Sequence, residues 1–280
     1  MSLVTQAGIV IGVAVVVVGL LWAARRSPWN ETFAGELRDE HDRAFEFLGT
    51  AFAVLIAFVV LEAYDSYNDA KSGAETEAEA VLQLSRTVDA FDSQERQRLE
   101  GVLVCYGRAV IHYGWPAMHE NEEGSPVVND WGTRFREEAL RVRLHSPIEQ
   151  ASFRQLLIEQ DRRIEGRRAR LAEAVRVVPL PLWLVLLLGA ALTINWVILS
   201  AGRHGSFLVQ ATVVVSVAAL VASALSLVWF LDHPFADEPG SITPIEIEHT
   251  LETMAHEEED QGVEATPPCT PAGDPEQAKL

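Results

Sequence analysis

Glu62, Asp65 and Asp69 follow closely on Thr50, Val54 and Phe58, which precede Glu62 at intervals of four residues. In a helix, positions four apart share a face. One face would therefore run from a small polar residue through apolar ones into acid. Repeated around a symmetry axis, it makes an apolar neck opening onto a ring of carboxylates. Hydrophobic constrictions and charged rings are the working parts of ion pores, and a carboxylate ring concentrates cations. The same residues have a plainer reading, in which Phe58 packs inside a helix bundle and Glu62 snorkels to the membrane interface. Periodicity alone tilts slightly towards the plainer one.

Catalytic chemistry finds no comparable constellation. The chain has no His-Glu-x-x-His pair, no Gly-rich phosphate loop and no Gly-x-Ser-x-Gly elbow. Its eight histidines are scattered. His249 and His256 read as solvated, and His112, beside Tyr113 and Trp115, as packed. Cys105 and Cys269 stand far apart in unlike segments and give neither metal-ligand spacing nor a disulfide framework. We expect one half-buried thiol and one thiol in the tail, no enzyme, no cofactor and no nucleic-acid partner.

The elements that must position the acidic stripe are helices. The net charge is −18, yet 49% of the residues are hydrophobic, so the apolar residues must be unevenly placed. Four stretches, about 7–24, 44–63, 180–200 and 207–231, are long and apolar enough to cross a ~30 Å hydrocarbon core. The first lacks Lys or Arg ahead of it and a clear cleavage site, so it reads as a retained helix. Gly8 and Gly12, then Gly49, Ala53 and Ala57, then Ala218, Ala222 and Ser226 are small residues four apart that let helices approach closely in lipid. Asn195 is expected to hydrogen-bond to a neighbouring helix.

The predicted class is an all-α integral membrane protein with four transmembrane helices and a helical extramembrane domain between helices 2 and 3. Residues 1–64 hold the first two transmembrane helices, and 65–179 form the helical domain. Residues 180–231 hold the last two transmembrane helices, 232–259 a post-membrane segment with a short helix, and 260–280 a disordered acidic tail. Within the domain, 75–91, 96–118 and 146–178 carry helical periodicity, the last leading to Pro179. In the post-membrane helix, Ile245, Leu251 and Met254 are expected inward.

Orientation follows basic residues near membrane ends. The flanks of 65–179 hold seven: Lys71, Arg162, Arg163, Arg167, Arg168, Arg170 and Arg176. The opposite loops hold five: Arg25, Arg26, Arg38, Arg43 and Arg203. The count leans towards a cytoplasmic middle domain with both termini cytoplasmic, in the inner (plasma) membrane; Arg25 and Arg26 lean the other way.

VLIAFVVLEAYDSYNDAKS (54–72) resembles the pore-helix segment of bestrophin channels. Ile56-Ala57-Phe58 stands for their Leu-Gly-Phe, and Tyr64 to Lys71 for the Tyr-Asp-Arg-Trp-Trp-Glu-Ala-Arg that follows. The chain as a whole, over about 1–250, resembles the bestrophin-like family of bacterial membrane proteins. Its marks are Tyr64, Asp65, Tyr67 and Asp69, then Tyr106, Trp115-Pro116-Ala117-Met118, and Asp232-His233-Pro234-Phe235 after the last apolar helix. The resemblance implies a pentameric ion channel with Thr50, Val54 and Phe58 as the pore neck. Glu62, Asp65 and Asp69 would form the acidic ring, and the lipid bilayer and further copies of the chain would be partners. Bestrophins commonly pass anions; the carboxylates beside the neck lean the reading to monovalent cations instead. Asp232, Asp237 and Glu238 are reminiscent of a calcium clasp in animal bestrophins, but are expected to be a structural helix stop. The alternative is a non-conducting membrane scaffold or signalling protein that binds a partner through its helical domain and acidic tail.

Overall fold

The computed structural model describes residues 3–26, 38–121, 123–200, 206–262 and 266–275. The helices are α1 (Leu3–Arg26), α2 (Arg38–Val88), α3 (Ser93–Ala109), α4 (Trp115–Asn121), α5 (Pro126–Leu140), α6 (Pro147–Ala172), α7 (Leu180–Ser200), α8 (Phe207–Leu231) and α9 (Ile245–Gln261), with a π-helical turn at Val110–Gly114. Among the described residues the only β-pairing is an isolated bridge between Cys269 and Pro275. The chain divides into two compact units. One comprises Met1–Ser66 and Val177–His233, the other Tyr67–Arg176 and Pro234–Leu280.

The first unit holds α1, the first half of α2, α7 and α8. All four helices are long and apolar enough to cross a membrane. Val17 and Leu21 of α1 pack with Ile198, Val214 and Ala218, while Phe52 and Val59 of α2 pack with Leu186, Ala190, Val221 and Val228. Gly189 makes room for the Phe52 ring, which a Cβ there would overlap. Many large apolar side chains, among them Ile11, Val15, Leu188, Leu208 and Leu220, stay exposed. An apolar surface of that extent is suited to lipid. Of the small-residue stripes, the one on α8 is used inside the chain, since Ala218, Ala222 and Ser226 are buried. Gly8, Gly12 and Gly49 have open space at their Cβ positions, so among the described residues these glycines meet no close neighbour. Asn195 is exposed.

α2 is a single helix of 51 residues, about 75 Å long at 1.5 Å per residue. Its buried positions recur every seven residues: Phe52, Val59, Ser66, Gly73 and Ala80 form one line, and Ala63, Ala70, Glu77 and Leu84 another. A seven-residue repeat keeps one stripe facing its neighbours along a long helix.

The second unit is built around Leu84, Val88, Leu99, Leu103, Tyr106, Trp131, Phe135 and Leu156. Helix starts are specified locally. The Asp92 carboxylate accepts from the Gln94 and Glu95 backbone N–H groups, and Ser146 and Glu149 form a reciprocal capping box ahead of α6. Gly262, at φ 66°, ends α9 in the left-handed region. α2 and α6 meet backbone to backbone: a Cβ on Gly73 would lie 2.6 Å from the Arg170 nitrogen, and one on Gly166 2.6 Å from the Glu77 nitrogen. One turn from that crossing a charged pair is sealed in. Arg170 donates to the Glu77 carboxylate at 2.7 Å and neither side chain is more than 2% exposed. The Tyr106 hydroxyl donates to the other Glu77 oxygen, and the guanidinium lies 4.5 Å from the Trp115 ring centroid.

Several features depart from the expectations. Cys105 and Cys269 are joined in a disulfide, because the fold returns residues 266–275 to α3 across a gap in sequence that no spacing rule can bridge. The same contact corrects the disordered tail: 266–275 form a packed turn, and α9 runs to Gln261. Residues 263–265 and 276–280 lie outside the described residues. The periodic stretch 96–118 is interrupted by the π-helical turn, and α6 stops at Ala172 rather than leading on to Pro179. In α9 the inward residues are Ile247, Leu251 and Met254, while Ile245 is exposed. His112 is exposed rather than packed.

Candidate functional site: the outward face of α2

Opposite the seven-residue burial lines, α2 presents an unbroken exposed face. Thr50, Val54, Phe58, Glu62, Asp65 and Asp69 are all exposed, with Val54 at 50% and Phe58 at 67%. Phe58 and Glu62 are one turn apart, about 6 Å along the axis. The apolar-to-acid order expected from spacing is thus present on one helix face. Burial of Phe52, Val59 and Ala63 fixes that face by holding the other side of the helix inward. Tyr64, beside Asp65, is also exposed.

The remaining motif residues are structural ties within each unit. In the first, the Asp232 carboxylate accepts from the backbone N–H groups of Val177 and Val178 at 3.0 and 2.8 Å, and from the Trp183 indole. It satisfies donors that would otherwise lack partners just before α7. In the second, Trp115 donates to the Ile242 carbonyl at 3.0 Å and packs edge-on to Phe235, and Tyr67 donates to the Gly240 carbonyl at 2.7 Å. Pro116 is exposed at the first turn of α4, and Pro234 is buried. Periodicity did not show these ties, although the clustering of Trp, Tyr and Pro in short motifs signalled them.

Asp232 is thus committed to backbone donors, while Asp237 is exposed. Among the described residues, no three His, Cys, Asp or Glu side chains gather as metal ligands. Asp232 is also the residue that ends α8, at its C-cap.

A family model described as the bestrophin-like domain matches residues 11–239; the chain belongs to the bestrophin-like family. Its fold is similar to solved bacterial membrane proteins. A single-substitution variant of a bacterial bestrophin homologue from Klebsiella pneumoniae aligns with a TM-score of 0.71 at 16% identity, covering 88% of this chain and 98% of that one. Another variant of that homologue gives 0.72 at 16% with the same coverage. A structure described only as a membrane protein gives 0.72 at 15%, covering 88% and 97%. No curated protein matches the chain.

Proposed function

We propose that this chain is one subunit of a homo-oligomeric, pentameric ion channel of the inner (plasma) membrane, with the outward face of α2 lining the pore. The observation that carries this reading is the exposed stripe itself. A helix facing only lipid gains nothing from Glu62, Asp65 and Asp69 continuing the face of Val54 and Phe58. Turned towards an axis, the same stripe supplies a neck and an acidic vestibule. Thr50, Val54 and Phe58 form the neck and exclude hydrated ions by dewetting. Glu62, Asp65 and Asp69 raise the local cation concentration, which favours monovalent cations over anions. The second unit is the extramembrane domain, and Trp115, Phe235 and Tyr67 hold its post-membrane segment in place. Family membership supports the reading, because bestrophins are channels. No catalytic role is assigned.

The test is conductance of the purified protein in planar bilayers. Phe58→Ala is expected to raise single-channel conductance by widening the neck. Glu62→Gln with Asp65→Asn is expected to move the reversal potential in a KCl gradient towards the chloride potential. A protein that is silent across salts and pH values, or a Phe58→Ala current identical to the parent's, refutes the pore assignment. Particles with fivefold symmetry support the pentamer; a monomer or an antiparallel dimer supports the scaffold reading.

A further inference from the structure

The disulfide joins residues on either side of two apolar helices. Cys105 lies on α3, before α7, and Cys269 follows α8 and α9. With α7 and α8 both crossing the bilayer, the two sulfurs must lie on one side of it. Both cysteines are at most 5% exposed, and the pairing is supported by a docking site for the returning segment. A Cβ on Gly273 would strike the Ala109 nitrogen at 2.6 Å, and one on Gly101 would press on the Thr266 carbonyl oxygen and Pro268 at 3.2 and 3.3 Å. Arg108 donates to the Thr270 carbonyl at 3.3 Å and the Trp131 indole to the Gly273 carbonyl at 2.7 Å. The Tyr113 hydroxyl donates to Asp274. Two thiols are therefore brought together by contacts of their own surroundings.

Bonded cysteines belong to oxidising compartments, and thiol-reducing systems keep such pairs open in the cytosol. The positive-charge rule, applied to the segments it governs, leads the same way. It weighs loops shorter than about 60 residues, because long domains are exported largely regardless of charge. The 65–179 segment exceeds that length, and several of its basic residues are spent internally. Arg170 is buried on Glu77, and Arg163, 3% exposed, lies 4.2 Å from the Tyr106 ring centroid. The short connections and the helix ends beside them carry Arg25, Arg26, Arg38, Arg43 and Arg203. Arg25 at the end of α1 donates to Gln210 near the start of α8, and Arg26 stacks over Trp22 at 3.8 Å. Tryptophan with arginine at a helix end is a membrane-interface signature.

We infer that the helical unit faces the extracytoplasmic side, where the Cys105–Cys269 disulfide forms and clasps residues 266–275 onto α3, and that the α1–α2 and α7–α8 connections face the cytoplasm. This reverses the orientation given by the simple charge count, and it holds whether or not the protein conducts. In the oxidation, the two thiols give up two protons and two electrons. The acceptor is the disulfide of an extracytoplasmic thiol oxidoreductase, which leaves as a dithiol.

The test uses the full chain in spheroplasts. Glu137→Cys on α5 and Ser206→Cys before α8, both at exposed positions, are probed with a membrane-impermeant maleimide. Separately, the unsubstituted protein is acid-quenched, denatured and treated with a polyethylene-glycol maleimide. The expected result is that Glu137→Cys labels in intact spheroplasts, that Ser206→Cys labels only after permeabilisation, and that the unsubstituted protein shifts in mass only after reduction. Labelling in the reverse order, or a two-thiol mass shift without reductant, overturns the inference.

Discussion

Replacing Arg170 by Met leaves the Glu77 carboxylate buried without the guanidinium that now pairs with it. The two side chains are 1% and 2% exposed, so water cannot substitute. Breaking one partner of a buried ion pair costs about 3–5 kcal/mol, because the stranded charge keeps its desolvation penalty. For a cooperative unit of 150–250 residues each kcal/mol moves the melting midpoint by roughly 2–4 °C. The substitution should then lower it by roughly 6–20 °C. The assay is thermal unfolding of the full-length protein in detergent at neutral pH, followed by tryptophan fluorescence, since Trp115 stacks on Arg170 itself. The companion is the double variant Arg170→Met with Glu77→Leu, which removes both charges and leaves only the Tyr106 hydroxyl without its acceptor. Losing a partner for one buried hydroxyl costs about 1–3 kcal/mol, so the double variant should recover part of the loss. A single variant that melts within about 2 °C of the parent, or a double variant melting no higher than the single, refutes the stranded-charge account.

Two further outcomes follow from the packing of the same unit. Gly166→Ala should cost about 3 kcal/mol or more, read by the same melt, because the added methyl meets the Glu77 nitrogen and the Gly73 carbonyl oxygen at 2.6 and 2.9 Å. Glu100 gives a pH dependence. Burial, then the neighbouring Glu258 carboxylate, push its carboxyl up against the pull of Arg96. The folded chain holds this proton more tightly than the unfolded one, so stability falls as pH rises from the unfolded value towards the folded one. Glu100→Gln should therefore melt higher than the parent at neutral pH, with the difference closing as pH falls below about 4, where the acid becomes protonated in both states.

The sequence made the stripe on α2 and the four apolar helices legible, because both are local properties of spacing and run length. The passage of α2 from apolar to acidic residues without a break was legible for the same reason, since neither Pro nor Gly falls between Phe58 and Lys71. The Glu77–Arg170 pair was not. Read along the chain, each residue looks like part of a solvated helical face, and only the α2–α6 crossing brings them together. The disulfide was hidden by the same kind of distance. The π-helical turn at Val110–Gly114 breaks a run whose apolar residues are compatible with ordinary helical spacing, so nothing in the pattern announced it. The inward residue of α9 was misplaced by two positions, from Ile245 to Ile247, because a short helix with few apolar residues fixes its phase poorly.

The bare crossing of α2 and α6 carries a consequence for how this sequence can vary. The atoms that a side chain at Gly73 or Gly166 would strike are mainly main-chain atoms of the opposite helix. A larger residue at one position therefore cannot be accommodated by a smaller one at the other, since both are already at the minimum. The two sites form a lock without a second key. Among divergent relatives that keep this crossing, the two glycines should be lost only together with the crossing itself, as the helices separate.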